Sequence, residues 1–167
     1  ARLRGVPCAP IDNCRVLEIG CAAGYNLIPM ALSLPDAHFV GIDYAARQID
    51  EGREIIAHLG VPNVELHQQD MAAWDGSLGR FDYIIAHGIY SWVAAPLRSA
   101  LLSICRDALA PKGVAYVSYN TYPGWHMMEA MRRMMLYHIR GIDEPGQRAA
   151  AAKELIGFLV QATGTAS

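Results

Sequence analysis

Three short stretches of this sequence place chemistry-bearing residues at intervals that could build a single binding site. Glu18-Ile19-Gly20-Cys21-Ala22-Ala23-Gly24 ends an apolar run in a series of small residues. Small side chains let a ligand lie against the backbone, and a helix beginning there offers unpaired N–H donors. Asp43 follows 23 residues beyond Gly20, the offset at which a carboxylate can accept hydrogen bonds from ribose hydroxyls. In Asp70-Met71 a carboxylate can take an adenine amino group while apolar atoms flank the ring. Taken singly, each has an ordinary explanation: a Gly/Ala loop is commonly a tight turn, and a lone Asp commonly a cap or turn residue. Taken together and in order, they make coincidence the weaker account and point to a nucleoside-bearing ligand.

The elements that must hold these residues are read from short apolar runs bounded by turn signals. Strands are expected at Arg15–Ile19, His38–Asp43, Val64–Gln68, Phe81–Ala86 and Val114–Tyr119, the last introduced by a turn at Pro111-Lys112-Gly113. Helices are expected at about Asn26 to Leu34, at Ala45–Leu59 closed by Gly60 and Pro62, and at Ser99–Leu109 with Pro96 as an acceptable first-turn residue. Two more follow, Trp125 to Ile139 and Gln147 to Val160. Alternating strands and helices specify an α/β fold, a Rossmann-like doubly wound parallel sheet. In such sheets ligands bind beyond the carboxyl ends of the strands, where strand order reverses. Gly20, Asp43 and Asp70 all fall at such ends.

The spacing also discriminates among nucleosides. A dinucleotide fingerprint needs GxGxxG, and here the second and third glycine positions hold Ala22 and Tyr25. That argues against NAD and FAD. No GxxxxGK[ST] phosphate loop occurs.

At this point the sequence resembles the class I S-adenosylmethionine (SAM)-dependent methyltransferases. Val16-Leu17-Glu18-Ile19-Gly20-Cys21-Ala22-Ala23-Gly24 looks like their first motif, Gly41-Ile42-Asp43-Tyr44 the second and Asp70-Met71 the third. Phe81-Asp82-Tyr83-Ile84-Ile85-Ala86-His87 is similar to the fourth-strand motif, and Leu109-Ala110-Pro111-Lys112-Gly113 to the turn before the fifth strand. A narrower likeness rests on Asn26–Ala31, His87–Val93 and Ser118–His126. It is to bacterial methyltransferases followed by a methyltransferase regulatory region, among them rickettsial protein-lysine methyltransferases.

The resemblance implies SAM as cofactor and a role for each matching residue. Gly20, Cys21, Ala22 and Gly24 would line its methionine part, with Glu18 supporting the loop. Asp43 would hold the ribose and Tyr44 would lie against the adenine. Asp70 would meet the adenine amino group, Met71 would cover the ring, and the segment at His87 would face the methionine moiety and the entering substrate. Ala22 departs from the glycine of many relatives, and its methyl could narrow the loop. The resemblance further implies seven strands, of which only five are found, so a chain cut before the last two is expected. An unpaired fifth strand would then invite self-association.

Methyl transfer is an in-line displacement on an activated carbon, so the protein need only position the acceptor and, for an amine, accept its proton. Candidates are His87, Asn120 and Tyr122, with Tyr90 and Trp92 also near the fourth strand's end. For His87 a structural role weighs equally, and Tyr90 and Trp92 read better as packing. Met127, Met128, Met131, Met134 and Met135 recur at helical spacing and read as adaptable core, or as a lid or partner face.

Composition sets the outer bounds. With 167 residues, 53% hydrophobic and 18% charged, the chain has enough to bury a core. The organisation expected is an irregular lead segment over 1–13, a SAM-binding core over 14–122 and a helical extension over 123–167. A net charge of -2 gives no indication of a nucleic-acid partner. Cys8, Cys14, Cys21 and Cys105 form no CxxC, and the six histidines form no metal motif, so reduced thiols and no metal are expected. With no membrane-length apolar run and no signal-like start, a cytoplasmic protein is expected. The function expected is a methyltransferase acting on a protein lysine or other amine. A non-catalytic SAM-binding regulatory module is the alternative, and a nucleotide-dependent oxidoreductase a distant third.

Overall fold

The computed structural model describes Gly5 and residues 7–164. In chain order the elements are β1 (Arg15–Ile19), α1 (Leu27–Ser33), β2 (His38–Asp43), α2 (Ala46–Leu59), β3 (Val64–Gln68), β4 (Phe81–Ala86), α3 (Ala95–Ala108), β5 (Leu109–Val117), α4 (His126–His138) and α5 (Pro145–Gly164). Short 3-10 turns at Ile11–Asn13 and Met71–Ala73 precede β1 and follow β3.

The five strands form one parallel sheet in the order β3-β2-β1-β4-β5. Strand order reverses between β1 and β4, because β2 and β3 lie on one side of β1 and β4 and β5 on the other. Both faces of the central strands are covered, which explains their near-continuous apolar sequence. Alternation along each strand divides the core in two. Val16, Phe39, Val64 and Leu66 pack with Leu27, Ala31 and Ile49 on the α1–α2 face. Leu17, Ile19, Val40, Ile42, Phe81 and Ile84 pack with Leu101, Ile104 and Ala108 on the α3 face.

β5 departs from the reading of the sequence at both ends. β5 begins at Leu109 rather than Val114, with Pro111 and Gly113 inside it. Pairing jumps from Phe81↔Leu109 to Tyr83↔Val114, so the intervening β5 residues bulge out of the ladder. Pro111 lacks the N–H a ladder needs, and Lys112 adopts φ 68, so the expected turn is absorbed into the strand as a bulge. At its other end β5 stops at Val117, where the Ser118 N–H still donates to the Ala86 carbonyl at 3.0 Å. α3 begins at Ala95 with Pro96 in its first turn.

The chain divides into two compact units, one ending at Tyr119 and one beginning at Asn120. The second holds α4 and α5. There Ile139 is buried, and the Glu144 carboxylate accepts from the Gly146 and Gln147 N–H groups at 2.8 and 2.6 Å, capping the first turn of α5. Most other side chains of this unit are exposed.

Close helix–loop packing in the first unit depends on Gly52 of α2. A Cβ there would lie 2.4 Å from Leu66 Cδ1 and 2.5 Å from the Ala23 carbonyl oxygen. Backbone cannot retreat as a flexible side chain can, so Gly52→Ala is expected to cost about 1–3 kcal/mol. Urea denaturation of the variant beside the parent chain measures it, and equal midpoints would show that the contact is not tight.

Candidate functional site

The site is assembled where β1, β2 and β3 end. Gly20 (φ 75) turns the chain out of β1, and the N–H groups of Gly20 and Cys21 both donate to the Ile42 carbonyl, at 2.8 and 3.1 Å. The next N–H, that of Ala22, donates to Asp43 Oδ2 at 2.9 Å, while Asp43 Oδ1 accepts from the Ala45 N–H at 2.9 Å. The small-residue loop is thereby fastened to the end of β2. It closes with the Gly24 N–H donating to the Cys21 carbonyl and the Ile28 N–H to Gly24, which starts α1. A carboxylate can accept about four hydrogen bonds, so Asp43 keeps capacity for two hydroxyl donors beside the loop.

Ala22 holds this geometry at φ 51, in the left-handed region. An L-residue there costs about 1 kcal/mol relative to glycine. The methyl noted in the sequence is thus a strain at this turn, while its N–H carries the bond to Asp43.

A cavity of about 420 Å³ opens at these strand ends, within the range of small-molecule and cofactor sites. Gly20, Asp43, Tyr44, Asp70 and Met71 all line it. Asp70 divides its work: Oδ1 accepts from the Ala72 N–H at 2.8 Å, capping a 3-10 turn that sets Met71 against the α3-face core. Tyr44 is 75% exposed at the rim. The rest of the lining was not foreseen from the sequence: Ile19, Ile42, Gln69, Ile89, Val93 and Leu97. Ile89 and Val93, before α3, and Leu97, in its first turn, form an apolar wall, and Ile89 packs so closely over Gly20 that a Cβ there would lie 2.7 Å from its Cγ2. The spacing of 89, 93 and 97 is a helical signal, but it starts outside the helix and so is easily passed over.

The other residues singled out do not line the cavity. Cys21 is buried against Gly41 and Leu66, and burial, reinforced by Asp43 and Glu18, pushes its thiol up to about 12. Gly24 sits where a Cβ would press on Leu66. His87 is exposed and stacks on Tyr116 of β5, with ring centroids 6.0 Å apart and its Nδ1 3.5 Å from the tyrosine oxygen. Tyr90 packs against the α3-face core, edge-on to Tyr119 and beneath the Arg98 guanidinium. Trp92 is exposed. Asn120 and Tyr122 belong to the second unit, where Tyr122 stacks on His126. Among the described residues Cys14, Cys21 and Cys105 are buried thiols outside any disulfide, no group of side chains suits a metal ion, and no helix is long and apolar enough to cross a membrane.

The polar lining identifies the class of ligand. Two carboxylates, Asp43 and Asp70, face the cavity, and no Lys or Arg does among the described residues. Such a site accepts hydrogen bonds from hydroxyl and amino groups and repels phosphate. Beneath the loop, Glu18 is 5% exposed, with Oε1 accepting from Asn26 Nδ2 at 3.0 Å and Oε2 lacking a partner. An orphaned buried carboxylate oxygen beside the loop suits a ligand carrying a cationic or N–H group there. S-adenosylmethionine, with an adenosine, no phosphate and a charged amino-acid tail, fits these residues.

Burial raises the Glu18 carboxyl to about 7, with the Asn26 hydrogen bond opposing. The folded chain therefore holds a proton that the unfolded chain releases near the ordinary glutamate value. Stability from this group is fully present below that value and lost as pH rises toward 7. Between pH 4.5 and 8 the loss is expected to be on the order of 2 kcal/mol, and Glu18→Gln should remove it. Urea titrations of both proteins at the two pH values test this, and identical pH dependence would refute it.

Comparison with known proteins agrees with this geometry. A family profile described as a methyltransferase domain matches residues 11–152. Protein RP789 of Rickettsia prowazekii (strain Madrid E) is 43% identical over 159 residues, covering 95% of this chain and 29% of RP789. Protein RP028 of the same organism is 34% identical over 158 residues, covering 63% of its own length. Among solved structures, PKMT2 from Rickettsia typhi in complex with AdoHcy aligns with a TM-score of 0.78 and 35% identity over 95% of this chain and 30% of PKMT2. The chain thus spans less than a third of RP789 and of PKMT2. The chain belongs to the methyltransferase domain family, and its fold is that of the class I, S-adenosylmethionine-dependent methyltransferases.

Proposed function

We propose that this chain is the cofactor-binding core of a methyltransferase whose acceptor is an amine on a protein, a lysine side chain foremost. The observation that carries the cofactor half is the cavity in which Asp43 and Asp70 face an apolar wall of Ile89, Val93 and Leu97, with no basic residue in the lining among the described residues. The acceptor half rests on likeness to PKMT2 of Rickettsia typhi at 35% identity. When bound, S-adenosylmethionine supplies a methyl group on a sulfonium, already activated toward displacement.

The chain's own residues then orient and desolvate. Asp43 accepts from the ribose hydroxyls while keeping the loop fastened through Ala22. Asp70 accepts from the adenine amino group, and Met71 and Ile89 cover the ring. Gly20, Cys21, Ala22 and Gly24 shape the loop along the methionine part, with Glu18 beneath it. His87, Asn120 and Tyr122 are assigned to the acceptor, His87 taking the proton that an ammonium must lose and the other two positioning the nitrogen. A non-catalytic SAM-binding module would keep the first set of roles and lack the second.

Two experiments separate these readings. Calorimetric titration with S-adenosylhomocysteine should show saturable binding to which NAD is indifferent. Asp43→Ala should weaken it about 10–100-fold, the loss of hydrogen bonds to a charged group. Binding of NAD but not S-adenosylhomocysteine would overturn the cofactor assignment. Transfer of labelled methyl to lysine-containing peptide should fall at least about tenfold in His87→Ala and Asn120→Ala, with S-adenosylhomocysteine affinity unchanged in Asn120→Ala. Undiminished turnover in both would remove those residues from the acceptor site.

A further inference from the structure

The unit beginning at Asn120 holds a second cavity, of about 410 Å³, lined by Tyr122, His126, Glu129, Ala130 and Arg133. From His126 onward these positions recur at three- and four-residue intervals and share one face of α4. The Tyr122 and His126 rings lie 4.6 Å apart and form an aromatic wall. Opposite the rings in character is an oriented cation: Arg133 Nε donates to Glu129 Oε1 at 3.0 Å. Glu129 is 19% exposed and Arg133 76%, so the shielded carboxylate anchors the guanidinium and leaves its head in solvent. One of the five N–H donors is committed by this bond.

We propose that this cavity binds the carboxylate of an acidic residue in a protein methyl acceptor, an inference that rests on the protein-acceptor reading above. A guanidinium held through Nε presents its terminal amino groups as a planar fork, the geometry that takes a carboxylate bidentately. The Glu129–Arg133 pair is neutral overall, so an anion meets no net repulsion there and finds the guanidinium's remaining N–H donors, while Arg132 adds a positive charge elsewhere on α4. An ammonium would have to displace that guanidinium from Glu129. The rings receive the methylenes of an acidic side chain, and Ala130 between them and Arg133 keeps the floor apolar. The partner this chemistry fits is a short acidic segment of the protein acceptor.

The test is a titration of isotope-labelled protein, followed by amide NMR, with a glutamate-rich peptide, a glutamine-rich peptide of equal length, inorganic phosphate and an oligothymidylate. The glutamate peptide should shift amides around 122–133 saturably, and the glutamine peptide should not. Arg133→Gln should weaken binding at least about tenfold, and Arg133→Lys several-fold because a lysine cannot form the fork. Absence of a saturable shift at millimolar peptide, unchanged affinity in Arg133→Gln, or an equal response to phosphate or the oligonucleotide would overturn the proposal. S-adenosylhomocysteine affinity, measured on the same samples, reports separately on the cofactor reading. Its retention with loss of peptide binding in the parent chain would sink this inference alone.

Discussion

The Asp43 carboxylate ties the sheet, the small-residue loop and the cavity to one another. One oxygen accepts from Ala22 in the loop and the other from Ala45 before α2, both at 2.9 Å. Beside it the Ile42 carbonyl takes the N–H groups of Gly20 and Cys21. Four backbone donors thus converge on two consecutive residues at the end of β2. Hydrogen bonds to an ionised acceptor are the stronger kind, about twice a neutral pair, so the loop's path follows from where β2 ends. The same carboxylate retains lone pairs toward the cavity, so the group that shapes the site is also offered to the ligand.

The cavity has two contrasting sides. Strand ends contribute carboxylates, with Asp43 at the end of β2 and Asp70 after β3, while the segment leading into α3 contributes Ile89 and Val93 and the first turn of α3 contributes Leu97. An adenosine has both characters, a flat apolar ring and a rim of N–H and O–H donors. The loop distinguishes this site from a dinucleotide site, whose pyrophosphate lies on a glycine-rich helix start, because Ala22 and Tyr25 stand where that fingerprint has glycines. Burial of Glu18 under the loop adds a poised charge: its carboxyl is raised to about 7, so a nearby cation would favour its ionised form.

The two units differ in how their stability is arranged. In the first, Leu17, Ile19, Leu27, Phe39, Ile49, Phe81 and Ile84 are wholly or almost wholly shielded from solvent. In the second, Ile139 is the buried large side chain among the described residues, and Met127, Met128, Met134 and Tyr137 are exposed along α4. The methionines whose spacing suits either an adaptable core or a lid or partner face are therefore largely surface in this chain. Helical spacing states which residues share a face, and nothing in it states whether that face is covered.

Strand identity and the class of ligand were legible in the sequence because both are local. Arg15–Ile19, His38–Asp43, Val64–Gln68 and Phe81–Ala86 are apolar runs bounded by turns, and their bounds agree with the structure. Gly20, Asp43 and Asp70 were visible because ligands meet parallel sheets at strand ends, so position along the chain implies position in space. The remainder depended on contacts between residues remote in sequence. Ile89 over Gly20, Gly52 against Ala23, and Asn63 donating to the carbonyls of Ala31, Leu34 and Ala37 leave no periodic trace. The β5 bulge arises from matching a proline-containing segment to β4, a pairing requirement that neither strand carries alone. His87 stacks on Tyr116 for the same reason, since only the sheet places β4 beside β5.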